Sequence, residues 1–307
     1  MLTLFTTPKP FHGQIEIIQR NAIRSWCRLQ SSARIILFGD DDGAAGTARD
    51  LGVVHVPDVG KNEYGTPLVS SMFAVAEQLT DSPLLCYVNA DIILMSDFWM
   101  TAQRVSTRNR FLIVGRRWDL DMHTPWDFDQ PDWERGLRAW VLRKATLHSV
   151  MGLDYFLYPR GLWGSLPPLA IGRTAWDNWL LYRARTRGGQ LIDASQVVTA
   201  IHQNHGYAHH SEGEKGVWEG PEAQRNQELT GGPRYAFTLD DATHVMTTSG
   251  IWPALSLSHL KRRIVTAPLF HPYLKPVIAP VVQIARQVRK LARRTTGLAV
   301  PDGTFRG

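Results

Sequence analysis

The chain has 307 residues, of which 44% are hydrophobic and 20% charged, a composition typical of an ordered globular protein with ample material for a core. No run of 18 consecutive apolar residues occurs, which argues against a transmembrane helix, and the first residues lack the basic and apolar regions of a signal peptide. Residues 242–301 hold nine Lys or Arg and no acid, whereas the rest has 25 basic and 28 acidic residues. Nucleic acid is therefore a disfavoured partner, because the net charge of +6 is not spread over the whole surface.

The predicted elements alternate short apolar runs with amphipathic helical patterns over residues 1–240, which indicates an α/β sheet with crossover helices. Strands are predicted at 2–6, 34–38, 53–56, 84–89, 110–115, 154–158 and 196–201. Helices are predicted at 14–29, 44–51, 67–79, 97–105 and 176–186. The segment 116–172 is rich in Trp, Pro and Asp without clear periodicity, and such an irregular insert is where we expect an acceptor pocket.

The apolar run from Leu84 to Leu94 is interrupted by the polar step Asn89-Ala90-Asp91. An acid in a buried run is costly unless it is paired or binds a cation. We therefore expect the strand to end at Asn89 and to present Asp91 at the carboxyl edge of the sheet, where open α/β sheets bind ligands. Oxygen ligands at such a step suit a hard divalent cation that also holds a diphosphate, although Asp91 could instead cap a turn.

The C-terminal segment predicts a basic amphipathic helix within 259–297. Its apolar face comprises Val281, Ala285, Val288, Leu291 and Ala292, and its basic residues are Arg286, Arg289, Lys290, Arg293 and Arg294. Such a helix is typical of binding to an anionic membrane surface. Packing on the main domain and an interaction tail for nucleic acid are the alternatives.

The two cysteines, Cys27 and Cys86, both lie in apolar stretches. We expect buried free thiols rather than a disulfide, which fits a reducing compartment. The predicted location is therefore cytoplasmic. The basic C-terminal segment adds a second possibility, peripheral attachment to the inner face of the membrane.

Several short motifs, taken in order, resemble those of the GT-A nucleotide-sugar glycosyltransferases over roughly residues 1–210. They are Thr6-Thr7-Pro8, Gly39-Asp40, the helix after Tyr64-Gly65-Thr66, Asn89-Ala90-Asp91, Asp177-Asn178-Trp179 and Ile201-His202-Gln203-Asn204-His205. The resemblance implies a mixed, mostly parallel sheet with helices on both faces, and Mn²⁺ or Mg²⁺ held on the donor diphosphate by the last acid of an Asp-X-Asp step. This chain departs from that step because Asn89 stands at the first acid.

The same resemblance implies residues for the donor nucleotide. Thr6 and Thr7 would lie beneath the nucleotide, and Asp40 would accept a hydrogen bond from the base or ribose. Asn89 would face a ribose hydroxyl or a metal-bound water. Asn62 and Thr66, in the loop before the third helix, are also assigned to the donor, since amides at a helix start attract phosphate. Both Asp40 and this loop could equally be solvated connections.

Three further residues are assigned to metal binding and catalysis. His202 follows a β-branched run and would supply a further metal ligand at a strand end, with Mn²⁺ better suited to an imidazole than Mg²⁺. Asp177 would be the general base of an inverting transfer, although an acid at a helix N-terminus is also favoured by the helix dipole alone. Asp154 is its competitor; because it precedes an aromatic strand and is followed by Arg160, it could instead orient the acceptor or be ion-paired.

These assignments lead to a transferase that moves a sugar from a nucleotide-diphosphate donor to a hydroxyl acceptor, expected to be a glycan or a lipid-linked glycan. The predicted domains are a glycosyltransferase domain at 1–250, with a donor part at 1–115 and an acceptor part at 116–250, and a basic tail at 251–307. One alternative is a metal-dependent phosphoester hydrolase that uses Asp91 and the His202–His210 cluster. The other is a non-catalytic nucleotide-sugar-binding protein of the same fold.

Overall fold

The computed structural model describes residues 1–30, 33–206, 218–280 and 283. These residues fall into a first compact unit, Met1–Pro253, and a second unit that begins at Ala254. The helices are α1 (Gly13–Cys27), α2 (Ala44–Leu51), α3 (Val69–Gln78), α4 (Ser96–Val105), α5 (Trp133–Lys144), α6 (Trp176–Thr186), α7 (Pro221–Thr230) and α8 (Leu257–Phe270). All but α8 belong to the first unit.

The strands form two sheets. They are β1 (Leu2–Thr6), β2 (Arg34–Phe38), β3 (Val54–Val56), β4 (Leu84–Val88), β5 (Ile92–Ile93), β6 (Phe111–Val114), β7 (Arg117–Leu120), β8 (Thr146–Leu147), β9 (Tyr155–Pro159), β10 (Gln190–Asp193), β11 (Ala200–Gln203), β12 (His244–Met246) and β13 (Ile251–Pro253). The larger sheet has the order β13-β12-β10-β6-β9-β4-β1-β2-β3, and the smaller has β5-β11-β7-β8. In the larger sheet only β9 and β13 run antiparallel to their neighbours.

Helices cover both faces of the large sheet, as predicted. Alternate residues of a strand point to opposite faces, and Leu4 of β1 packs into a core with side chains of α1, α2 and α4. Its neighbour Phe5 meets Phe73 of α3 edge-on on the other face, with ring centroids 5.0 Å apart. The fold class is therefore confirmed: a mixed α/β protein with a mostly parallel sheet, the architecture expected of a GT-A-like glycosyltransferase.

The polar step divides the Leu84–Leu94 run between the two sheets. β4 lies near the centre of the large sheet between β9 and β1, with all five of its residues buried. The two residues of β5 pair instead with β11 of the small sheet. Asn89, Ala90 and Asp91 form the connection, so this segment carries the chain out of the large sheet at the carboxyl end of β4.

Other differences from the sequence interpretation concern short elements. The helix predicted to start at Pro67 begins at Val69, because Leu68 bridges to Ala170 in extended form. The late strand lies at Ala200–Gln203 rather than 196–201. The insert at 116–172 is more regular than predicted, since it contains β7, α5 and β8. Side chains of β7 and α5 form a second core with those of β5 and β11.

The cysteine prediction is half right. Both cysteines are free, and Cys86 is buried in β4, but Cys27 is exposed at the end of α1. Among the residues described, no helix is both long enough and apolar enough to cross a membrane. The apolar face predicted for the C-terminal helix, together with its basic residues from Arg286 to Arg294, lies outside the described residues.

Candidate active site

The predicted metal ligands Asp91 and His202 lie close together because β5 and β11 pair. His202 is the Cα partner of Ile92 in this antiparallel ladder, which places it one residue away from Asp91. Gln203 strengthens the connection, since its backbone N–H and its side-chain Nε2 both donate to the Asp91 carbonyl, at 3.3 and 3.1 Å. The backbone of the polar step is thus fixed against β11.

His205 completes a group of three metal-ligating side chains with Asp91 and His202. Its Nε2 lies 2.9 Å from Asp91 Oδ2, and His202 Nε2 lies 3.7 Å from the same oxygen. One potential ligand atom from each residue lies within 4.8 Å of the others. One carboxylate and two imidazoles therefore converge on one point at the carboxyl end of β4.

The carboxylate of Asp91 has a vacant acceptor. Its Oδ1 is buried and receives no hydrogen bond from any described residue. Burial alone would raise the pKa of Asp91, but the adjacent His202 and the hydrogen bond from His205 hold this pKa well below its usual range. A buried, ionised carboxylate with an unused oxygen beside two imidazole nitrogens fits a divalent cation of the Mn²⁺ type.

The predicted residues Asn89 and Asp154 interact with each other rather than facing open space. Asn89 Nδ2 donates to Asp154 Oδ1 at 2.7 Å, and Asn89 Oδ1 accepts from Tyr87 at 3.0 Å. Asp154 is buried and receives Arg117 Nη1 on both carboxylate oxygens at 2.9 Å. The ion-paired interpretation of Asp154 is therefore the one that fits, with Arg117 as its partner.

Asp177 lies in the first turn of α6, where its Oδ1 accepts the backbone N–H of Asn178 at 2.8 Å. Burial, together with the nearby charge of Asp154, raises the pKa of Asp177 to about 7. Such a pKa suits a group that exchanges protons near neutral pH. Unlike Asp154, Asp177 makes no ion pair with a described residue that would occupy its carboxylate.

The turn before Asp177 has an unusual backbone. Ala175 has φ +80°, and it is the only non-glycine residue with positive φ among those described. Asn226 of α7 holds this turn by donating to the carbonyls of Ala170 and Thr174, at 2.9 and 3.1 Å. The surrounding contacts thus impose a left-handed conformation directly before the start of α6.

We expect Ala175→Gly to stabilise the protein slightly. A left-handed backbone costs an alanine about 1–2 kcal/mol, which glycine would remove. Glycine also gives the unfolded chain more conformational entropy, which lowers the free energy of unfolding by roughly 0.4–1 kcal/mol. The melting temperature, measured by calorimetry, should rise by about 1–3 °C. Ala175→Val is the opposing control and should lower it. A lower melting temperature for the glycine variant would contradict a strained turn.

The residues assigned to the donor nucleotide lie at the ends of β1 and β2 and in the loop that follows β3. Thr6 is buried at the end of β1. Thr7 faces Gly39, the residue that follows β2 and has a φ of +98°. Asp40 is exposed and pairs with Lys61, and the hydrogen bond from Lys61 lowers the pKa of Asp40.

Asn62 and Thr66 belong to a separate polar network. Asn62 Oδ1 accepts the backbone N–H of Tyr64 and Thr66 at 3.0 and 2.9 Å, and Asn62 Nδ2 donates to Glu222 at 2.7 Å. Glu222 also pairs with Arg173 at 2.7 Å. The Thr66 side chain joins this network, since its Oγ1 accepts from Arg173 at 3.4 Å. These contacts shape the loop and connect it to α7.

The sequence interpretation did not single out several residues around the metal group. They are Lys9, Arg117, Asp119 and His148, whereas His205 had been noted only as a neighbour of His202. Lys9 follows β1, and Gln19 holds its backbone through hydrogen bonds of 2.6 and 2.8 Å. Burial lowers the pKa of Lys9, against the opposing charge of Asp91. His209 and His210, which were grouped with His202, lie outside the described residues.

No protein-family model matches the chain, and no curated protein matches it either. Glucosyl-3-phosphoglycerate synthase from Mycobacterium tuberculosis, solved with Mg²⁺ and uridine diphosphate, is 13% identical with a TM-score of 0.43 over 76% of this chain and 80% of its own. Mannosyltransferase PcManGT from Pyrobaculum calidifontis, solved with GDP-Man and Mn²⁺, is 12% identical with a TM-score of 0.43 over 69% and 59%. S. aureus TarS residues 1–349, solved with UDP-GlcNAc, is 10% identical with a TM-score of 0.44 over 68% and 60%. At these identities and TM-scores the similarities assign no function to this chain.

Proposed function

We propose that the protein is a metal-dependent glycosyltransferase that moves a sugar from a nucleotide-diphosphate donor to a hydroxyl acceptor. The observation that carries this proposal is the group of Asp91, His202 and His205 at the carboxyl end of the central strand β4. Ligands bind at this edge in open α/β sheets. The buried Asp91 carboxylate has one oxygen that accepts no hydrogen bond from a described residue, and a bound cation would compensate its charge.

The cation, Mn²⁺ or Mg²⁺, would be held by Asp91, His202 and His205 and would neutralise negative charge on the departing diphosphate. The chain supplies a second positive charge nearby, because Lys9 is close enough to Asp91 for their charges to interact. A lysine ammonium suits a phosphate oxygen as a point charge. Lys9 is therefore assigned to the diphosphate, with its backbone held by Gln19.

Asp177 would take the proton of the acceptor hydroxyl as that oxygen attacks the anomeric carbon. Its pKa of about 7 leaves a large fraction deprotonated at neutral pH while keeping the carboxylate basic. Asp154 is less suited to this step because Arg117 and Asn89 occupy its oxygens. This assignment corresponds to an inverting transfer.

The phosphoester hydrolase alternative receives less support. A two-metal hydrolase needs further acids beside the first ion. Asp119 lies next to His202, but Arg117 and His148 already engage its two oxygens, at 2.9 and 2.6 Å. Within the described residues the group therefore provides ligands for one ion.

A thermal-shift panel of nucleotide sugars tests the proposal, because a ligand that binds only the folded state raises its melting temperature. At least one nucleoside diphosphate sugar should stabilise the chain in Mn²⁺ more than in EDTA. If the responding nucleotide sugar raises the melting temperature equally in Mn²⁺ and in EDTA, the diphosphate is not held through a metal ion. Incubation of the responding donor with hydroxyl acceptors then separates a transferase from a non-catalytic binding protein.

The second unit is proposed to attach the enzyme to an anionic membrane surface, where a lipid-linked acceptor would lie. Leu257, Leu260 and Ile264 recur along one side of α8 and are exposed, with 83, 42 and 56% of their surface accessible. Lys261 and Lys275 are exposed as well. An exposed apolar stripe and exposed lysines, in a segment (242–301) without acids, suit the interface of an anionic bilayer.

We expect Lys261→Gln with Lys275→Gln to weaken this attachment. Each basic residue near an anionic surface contributes about 1 kcal/mol, so losing two should weaken binding roughly 30-fold. Sedimentation with phosphatidylserine vesicles at low salt measures the loss, and salt should release the wild-type chain. Arg143→Gln with Lys144→Gln, on exposed positions of α5, is the charge-matched control. Equal losses for both pairs would show that net charge alone matters.

A further inference from the structure

Asp119 lies directly beside the metal-ligating His202. The two residues are Cα partners in the parallel pairing of β7 with β11. Asp119 Oδ1 lies 3.3 Å from His202 Nδ1, whereas the other ring nitrogen, Nε2, faces Asp91. The imidazole is thus bracketed by two carboxylates, one at each nitrogen.

Other partners hold Asp119 in its orientation. Arg117 Nε donates to Asp119 Oδ1 at 2.9 Å, and His148 Nδ1 lies 2.6 Å from Asp119 Oδ2. The close approach of His148 requires a glycine at 152, because a Cβ there would lie 2.3 Å from His148 Cδ2. Both oxygens of Asp119 therefore have fixed partners.

Arg117 continues these contacts to the polar step that contains Asp91. It binds Asp154 as well as Asp119, and Asp154 accepts the Asn89 amide at 2.7 Å. Asn89 lies two residues before Asp91. Contacts therefore run without a break from His202 on β11, through three charged side chains, to the connection after β4.

We propose that Asp119 is a positioning residue for the metal site, a role that rests on the proposed function. His202 Nδ1 is buried and makes no well-aligned hydrogen bond to a described residue, and Asp119 Oδ1 is the acceptor beside it at 3.3 Å. By accepting the Nδ1–H, Asp119 would leave the lone pair of Nε2 to face the cation. A carboxylate behind a ligating histidine fixes both the tautomer and the ring orientation. Arg117 and Asp154 hold this carboxylate in a fixed place relative to Asp91.

The same contacts account for Asn89 at the first position of the step. A carboxylate there would lie against Asp154 with no donor between them, and like charges in contact disfavour ionisation. The amide instead donates to Asp154 and accepts from Tyr87. Asn89 is therefore a supporting residue that holds Asp154 in place.

Mn²⁺ titration of the apoprotein, followed by electron paramagnetic resonance, tests the positioning role without any sugar transfer. Asp119→Ala should weaken Mn²⁺ binding about 10–100-fold, the usual loss for a partner of a ligating histidine. Asp119→Asn retains an acceptor for the Nδ1–H and should recover much of this loss. Asp50→Ala, which breaks a surface pair with Arg20, is the control and should leave the affinity unchanged.

A double-mutant cycle shows whether Asp119 acts through His202. In a His202→Ala background, Asp119→Ala should change the Mn²⁺ affinity by less than about twofold, because coupled residues are not additive. Additive losses, or unchanged affinity in Asp119→Ala, would overturn the positioning role while leaving the metal site intact. No Mn²⁺ binding by the wild-type chain would overturn the site itself. Should Asp119→Ala fail to fold, the same cycle with Asp119→Leu decides the question, because leucine keeps the side-chain volume and also lacks an acceptor for the Nδ1–H.

Discussion

Asp177→Asn is expected to reduce sugar transfer by about 10²–10⁴-fold, the usual contribution of a general base. The amide has the same shape and can still accept the Asn178 N–H, which lies 2.8 Å from the present carboxylate oxygen. The substitution therefore removes the proton acceptor and leaves the first turn of α6 in place. Donor affinity should stay near the wild-type value, since the metal ligands are unchanged.

The pH dependence identifies the group that is lost. A base must be deprotonated, so kcat/KM of the wild-type enzyme should rise with pH and level off above about 7, where the raised pKa of Asp177 lies. The residual activity of Asp177→Asn should lack this rise. A variant that keeps more than about a tenth of the rate would contradict the assignment, which requires at least the lower end of the 10²–10⁴ range.

Stability measurements separate this effect from misfolding. Burial raises the pKa of Asp177, so between about pH 4 and 7 the folded state keeps a proton that the unfolded state has lost. The wild-type chain should therefore lose stability with rising pH across this window, and Asp177→Asn should not. Glu16→Gln, in the first turn of α1, is the matched control for an acid at a helix start and should leave the rate unchanged.

Much of the sheet could be predicted from local pattern. The bounds of β1 and β2 are those read from the sequence, because each is a five-residue run rich in apolar residues between polar breaks. β10 was not predicted, because only Leu191 and Ile192 of its four residues are apolar. The strand order was also beyond local pattern, since β9 enters antiparallel between β4 and β6 through pairings across more than 40 residues.

The candidate site shows the same division. The role of Asp91 as a metal ligand could be predicted, because burying a single acid between aliphatic residues is costly unless the acid is paired or binds a cation. Asp119, His148 and Arg117 could not, because each sits in a segment without periodicity and gains its role only from β7 pairing with β11. The ion pair of Asp154 was anticipated as a type of contact, but its partner Arg117 lies 37 residues away in sequence.

Asp91→Asn is expected to abolish the Mn²⁺-dependent part of donor binding. The amide keeps the volume of the side chain but lacks the charge and the second acceptor oxygen that face the two imidazoles. Mn²⁺ affinity should fall by more than the 10–100-fold that loss of a supporting partner causes, because a direct ligand is removed. Calorimetric titration of a nucleoside diphosphate with and without Mn²⁺ measures the change, and donor binding with unchanged metal dependence would contradict the site.

The two imidazoles give this prediction a second, independent readout. His202→Ala and His205→Ala should each weaken Mn²⁺ more than Mg²⁺, because imidazole nitrogen suits the former while Mg²⁺ prefers oxygen ligands. His271→Ala removes an exposed imidazole at the end of α8 that is not within the ligand group, so it should show no such difference between the ions. Equal losses of Mn²⁺ and Mg²⁺ in His205→Ala would mean that this ring only hydrogen-bonds Asp91, and the cation would then have to be held by fewer protein ligands than the geometry offers.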